Sequence, residues 1–148
     1  LKNEKLISKT SIKNLFFNDS NKIQIHYYKN KLENNINYAI TKGKLNPSKL
    51  TPVRVLSAKI DNKDILSNND IKKALTLLSK YNGFLLLVIN RTNKTNDKNI
   101  NTLRYYGIGA QIIKDLNVKN MILISRRRKK IIGLEGFGLK IKKQIIVK

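Results

Sequence analysis

The chain contains no cysteine, no tryptophan, one histidine (His26), two prolines and seven glycines among its 148 residues. Without cysteine there is no disulfide scaffold, no thiol nucleophile and no thiolate zinc site, and one histidine cannot supply a histidine pair to a metal. Carboxylates are also scarce: nine Asp and Glu stand against 31 Lys and Arg, giving a net charge of +22. No apolar run reaches membrane-spanning length, and no charged-then-apolar leader ends in a small-residue cleavage site. The chain opens on Leu1 rather than Met, so it is expected to be a piece of a longer polypeptide, placed in the cytoplasm. What is present suffices for one domain: 41% of the residues are hydrophobic, and the length is too short for two ordinary domains.

A charge of this size first suggests a nucleic-acid-binding module. Composition offers a second explanation. Lys, Ile and Asn occur 25, 21 and 20 times, while Arg occurs six times. The three abundant residues have AT-rich codons, which is the mark of an AT-biased genome such as that of a bacterial symbiont. The lysines run from Lys2 to Lys148 instead of clustering among stacking aromatics, as a nucleic-acid surface would require. Weak, salt-dependent anion binding is expected on either reading.

Residues 22–29 (KIQIHYYK) alternate through Ile23, Ile25 and Tyr27, the period of a half-buried strand, and residues 35–41 (NINYAIT) repeat it through Ile36, Tyr38 and Ile40. The polar connection 30–34 has hairpin length. TPVRVLS (51–57) reads as a third strand, with Pro52 at its start, where a missing donor is tolerated. A helix is predicted over 69–81, with Asn69 as N-cap, Asp70 in the first turn and Ile71, Leu75, Leu77 and Leu78 as its apolar stripe. FLLLVI (84–89) is apolar throughout, as suits a strand covered on both faces. The polar stretch 90–101 reads as a loop, 103–116 as a helix, 121–124 as a buried strand, 133–138 as a turn and 139–147 as a last strand. The pattern predicts an α/β domain with a mixed sheet and flanking helices. Gly107 and Ala110 are expected to let the second helix pack closely on the 84–89 and 121–124 strands.

LRYYGIGAQIIKDLNVKNMILIS (103–125) and KKIIGLEGFGLKI (129–141) closely resemble the C-terminal part of GTP cyclohydrolase II. That family carries a helix of the type R-x-Y-G-I-G-A-Q-I-L-x-D-L-G-V, a strand M-x-L-L-T/S and a G-L-E-G-Y/F-G-L turn. Upstream, TKGKL (41–45), TPVRVLS and NGFLLLVINR (82–91) resemble the family's corresponding segments in the same order. The resemblance implies a three-layer cyclohydrolase-like domain over 13–148, with 1–12 as a linker from an upstream domain.

The departures are concentrated in the family's chemistry. Its catalytic zinc is held by three cysteines spaced C-x10-C-x-C. Here Leu56 stands at the family's His, Ala58 at its Glu and Lys59 at the first zinc cysteine. The guanine-contacting segment after Arg91 is replaced by the shorter 92–101. Of the family's D-x-R pair, Thr102 replaces the Asp and Arg104 is kept. T-N-N-P-x-K becomes Ser125, Arg126, Arg127, Arg128, Lys129, Lys130. Attack of water on a purine ring needs a metal to lower the water's pKa, so no zinc, no other cofactor and no catalytic residue is expected. The resemblance is greatest to the degenerate C-terminal domain of bacterial 3,4-dihydroxy-2-butanone 4-phosphate synthases. It implies a structural or interaction domain that packs against an upstream synthase domain of the same chain or forms a homodimer. An active cyclohydrolase with unusual ligands and a basic nucleic-acid-binding module are the alternatives.

Arg54, Arg104, Ser125, Arg126, Arg127, Arg128 and Lys130 are the expected remnant of a phosphate or nucleotide site, because Arg offers forked donors to phosphate. The competing reading of Arg126–Lys130 is a solvated basic loop, and of Arg54 an exposed strand position. Gly133, Gly136 and Gly138 lack the strand–GxGxxG–helix context of a dinucleotide site. At helical spacing, Tyr105 and Tyr106 supply at least one core side chain, although either could stack on a base.

Overall fold

A computed structural model describes residues 7–17, 21–31, 35–60, 64–90, 98–126 and 138–147; the side chains of 21, 35 and 98–106 are not described. Seven strands form one sheet: β1 (Ile7–Phe17), β2 (Asn21–Asn30), β3 (Asn35–Lys42), β4 (Leu50–Ala58), β5 (Phe84–Asn90), β6 (Asn120–Ser125) and β7 (Lys140–Ile146). Helix α1 (Asn69–Leu78) joins β4 to β5, and α2 (Lys98–Asp115) joins β5 to β6. The strand order is β1-β2-β3-β5-β4-β6-β7. β1, β2, β3 and β5 pair antiparallel, while β5, β4, β6 and β7 run parallel. The mixed sheet with flanking helices expected from the sequence is therefore present.

Alternation along β5 creates two cores. Leu85, Leu87 and Ile89 face α2 and pack with Ile108, Ala110, Ile112 and Ile113. Phe84, Leu86 and Val88 face α1 and pack with Ile71, Ala74, Leu75 and Leu78. A central strand covered on both faces must be apolar at every position, and Phe84 through Ile89 are all buried. Pro52 costs no β4–β5 ladder bond, because that ladder begins one residue later, at the Val53–Leu85 pair.

Three local readings are corrected. The cap of α1 is Asn68, not Asn69: its Oδ1 accepts from Asp70 N at 2.9 Å and Ile71 N at 3.2 Å, and the helix ends at Leu78 rather than Tyr81. α2 starts at Lys98, inside the stretch read as a loop; residues 91–97 lie outside the described part. The close helix–sheet approach falls on Gly109 and not on Gly107. A Cβ at Gly109 would lie 3.1 Å from Leu87 Cδ2, whereas one at Gly107 would meet nothing within 4 Å.

Residues 7–12, placed in the 1–12 linker from the sequence, form the first half of β1, and Ile7 is buried against the α2-side core. α2 ends where Asn117 takes a left-handed φ of 65°, with Val118 N donating to Ile113 O at 3.3 Å. The Gly133–Gly136 part of the turn lies outside the described residues.

Candidate anion-binding cavity

Arg54 pairs in register with Leu86 and Ile124, so its side chain leaves the sheet on the α1 face. It enters a cavity of about 340 Å³ bounded by Leu56, Ala74, Leu77 and Val147, with Asp70, Lys73 and Arg126 at its polar wall. Three cations and one carboxylate therefore face a single space. Arg54 Nη1 donates to the Ile124 carbonyl over a long 3.4 Å, and its Nε is buried without a hydrogen-bond partner. Burial, and then the positive charge of Arg126, pull the Arg54 pKa down from its ordinary value. Such a guanidinium is under-satisfied and held near like charge, and a dianion resolves both problems with forked hydrogen bonds.

The cavity brings together two of the residues expected at the anion site, Arg54 and Arg126. Arg54 is partly buried, not the exposed strand position of the competing reading. Ser125 is buried at the end of β6, where its carbonyl accepts from Val147 N at 2.9 Å. Arg104 and Thr102 have backbones in α2, the helix of the opposite face. Arg127, Arg128 and Lys130 lie outside the described residues. Sequence reading missed Lys73 and Asp70. They sit three apart on α1, and only the packing of α1 over β4 places them beside Arg54.

A second polar group lies on the α2 face. His26 is 5% exposed; its Nε2 is 3.0 Å from Thr41 Oγ1 and its buried Nδ1 has no partner. The Tyr28 hydroxyl donates to Asp115 Oδ2 at 2.7 Å, and Lys9 Nζ lies 3.9 Å from the same oxygen. Burial chiefly, assisted by Lys9 and opposed by Asp115, holds the His26 pKa down at about 4. Burial and the Asp115 carboxylate raise that of Tyr28.

Neither Lys59, matched to the first zinc cysteine of the family the chain resembles, nor Ala58, matched to its Glu, fits a metal ligand. Ala58 is buried in the α1-side core and Lys59 is exposed. Among the described residues no group of three or more His, Cys, Asp or Glu could hold an ion. No described helix is long and apolar enough to cross a membrane.

Residues 89–146 match the GTP cyclohydrolase II family. The resemblance carried by the 103–125 and 129–141 segments is thereby shown. The riboflavin biosynthesis protein RibBA of Bacillus subtilis is 56% identical over 29% of this chain and 11% of its own length. The RibBA of Aquifex aeolicus is 28% identical over 84% of the chain and 38% of its own length. A 3,4-dihydroxy-2-butanone 4-phosphate synthase of Photobacterium phosphoreum is 30% identical over 77% and 36%. In fold, the chain is similar to RibBX, a two-domain 3,4-dihydroxy-2-butanone 4-phosphate synthase from A. baumannii. The TM-score is 0.63 at 18% identity, covering 99% of this chain and 41% of that one. The chain thus spans less than two fifths of the length of these curated relatives.

Proposed function

We propose that this chain is a non-catalytic, GTP cyclohydrolase II-like domain of a riboflavin-biosynthesis protein. It works as a structural or interaction domain beside a 3,4-dihydroxy-2-butanone 4-phosphate synthase domain of the same polypeptide, in the cytoplasm. The observation that carries this reading is Leu56, Ala58 and Lys59 at the family's His, Glu and first zinc cysteine, in a chain with no cysteine at all. Opening the purine ring of GTP requires an activated water, and nothing on β4 can hold a metal to activate it. The loss of the Asp at Thr102 points the same way.

The Arg54 cavity supports one retained property, weak anion binding. Arg54, Lys73 and Arg126 can hold phosphate oxygens, and Asp70 limits the net charge to +2. Affinity is expected in the millimolar range, about −4 kcal/mol, without preference for a particular base. The purified chain is expected to hold no stoichiometric zinc and to release no formate from GTP. One zinc per chain together with GTP turnover would establish the active cyclohydrolase instead.

A further inference from the structure

α2 covers only part of its face of the sheet. It packs over Ile7, Tyr28, Ala39, Val53, Leu85 and Leu87, reaching one end of the β1–β2 ribbon, and leaves Ile12 and Phe16 further along β1 exposed. There the register pairs Ile12 with His26, Asn14 with Gln24 and Phe16 with Lys22, so these six side chains share one face. Gln24 Nε2 donates to Asn14 Oδ1 at 3.0 Å across the ribbon. Ile12 and Phe16 are 49% and 67% exposed. On the opposite face of the same strand, Leu15 and Phe17 are packed against the α1-side core. β1 therefore carries apolar side chains on both faces and buries one set. An antiparallel ribbon with one wet face ordinarily carries polar residues there.

Beside Ile12 lies a recess of about 240 Å³ whose lining includes His26, Thr41, Lys9, Lys44 and Asp115. Asp115 is the one carboxylate among its lining residues, and Tyr28 and Lys9 already engage it. Lys22 stands opposite Phe16 in the register, and Lys9 and Lys44 line the neighbouring recess.

We propose that this uncovered face of the β1–β2 ribbon docks an acidic protein segment. The segment's apolar side chains cover Ile12 and Phe16, and its carboxylates meet Lys9, Lys22 and Lys44. Charge complementarity selects this occupant. A second copy would bring the same lysines against lysines on a chain of net charge +22. A nucleic acid would find one exposed ring, Phe16, beside an aliphatic side chain that cannot stack on a base. Edge-to-edge pairing along β1 is opposed by the bulge between Lys9 and Ser11 and by the edge lysines Lys9 and Lys13. The proposal does not depend on whether the Arg54 cavity binds anions or on the loss of catalysis.

The test uses the 148-residue chain and fluorescence anisotropy with labelled twelve-residue peptides. A peptide of alternating Leu and Glu is expected to bind at least tenfold more tightly than one of alternating Ser and Glu. Ile12→Ser with Phe16→Ser should remove that difference, and Lys9→Ser with Lys44→Ser should weaken binding of both peptides. Equal affinity of the two peptides for the wild-type chain overturns the proposal, since charge alone would then act. So does a single-stranded DNA 12-mer whose binding needs Ile12 and Phe16, or a wild-type dimer in sedimentation that the Ile12/Phe16 variant dissolves. Should that variant unfold, amide shifts on the wild-type chain decide the matter. Shifts confined to β1, β2 and the recess support docking there, and shifts elsewhere refute it.

Discussion

Gly109 of α2 stands so close to Leu87 of β5 that a Cβ on the glycine would lie 3.1 Å from the leucine Cδ2. Leu87 is fully buried, so it has little room to yield. Two residues earlier, Gly107 faces open space. An alanine in a helix interior is favoured over glycine by roughly 1 kcal/mol. Gly107→Ala should therefore raise stability by about that amount. At Gly109 the same gain is set against overpacking worth about 1–3 kcal/mol. Gly109→Ala is expected to be at least about 1 kcal/mol less stable than Gly107→Ala, measured by urea denaturation. Equal stabilities would show that α2 does not rest on Leu87 through this glycine.

The one-residue shift of the α1 cap is testable in the same way. Asn68 accepts two backbone N–H groups, and removing such a cap costs about 1 kcal/mol. Asn68→Ala should lower the urea midpoint, while Asn69→Ala, at an exposed position, should change stability by less than about 0.5 kcal/mol. The reverse order would restore Asn69 as the cap.

These two sites show what a linear reading can reach. Period-2 alternation marks β2 and β3, continuous apolar runs mark β5 and β6, and helical spacing marks both helices, because each of these buries a regular face or both faces. The cap moved by one residue because Asn68 and Asn69 are chemically equivalent in sequence and only backbone geometry chooses between them. β1 is not legible in the sequence because its exposed residues Lys9 to Asn14 are polar or isolated, so no alternation marks it, and the expected 1–12 linker overlaps its first half. The anion cavity was half legible. Arg54 and Arg126 stood out as rare arginines in retained family segments, but Lys73 is one of 25 lysines and becomes distinctive only when α1 folds over β4.

The Arg54 cavity makes a prediction about ligand-linked stability. A ligand that binds only the folded state stabilises it by RT ln(1 + [L]/Kd), which is about 1.4 kcal/mol at ten times Kd. Inorganic phosphate at about 10 mM should raise the melting temperature of the wild-type chain at constant ionic strength, given the millimolar affinity expected. Arg54→Met should abolish the phosphate response. It should leave the phosphate-free protein as stable or more so, because it removes a poorly satisfied, partly buried charge. A phosphate response that persists in Arg54→Met would place the anion elsewhere on this basic surface.

His26 gives the fold an acid-sensitive step. Its imidazole is buried beside Thr41 and its pKa is pushed down to about 4 from the ordinary 6.5, mainly by burial and then by Lys9. Above the unfolded value both states hold a neutral ring, and the full stability is present. Between pH 6.5 and 4 the unfolded chain takes up a proton that the folded chain refuses, so stability falls as the pH falls. A gap of that size corresponds to an upper bound of about 3 kcal/mol. Carboxylates begin to titrate at the lower end of the window, so the decisive quantity is the difference between wild type and a variant. His26→Gln can keep a hydrogen bond to Thr41 but cannot take up the proton. It is expected to be less stable than wild type near pH 7 and to lose less on acidification, so the two curves of unfolding free energy converge towards pH 4. Parallel curves across the window would mean that the imidazole is protonated as readily in the folded chain as in the unfolded one, and that its burial on the α2 face of β2 is not maintained in solution.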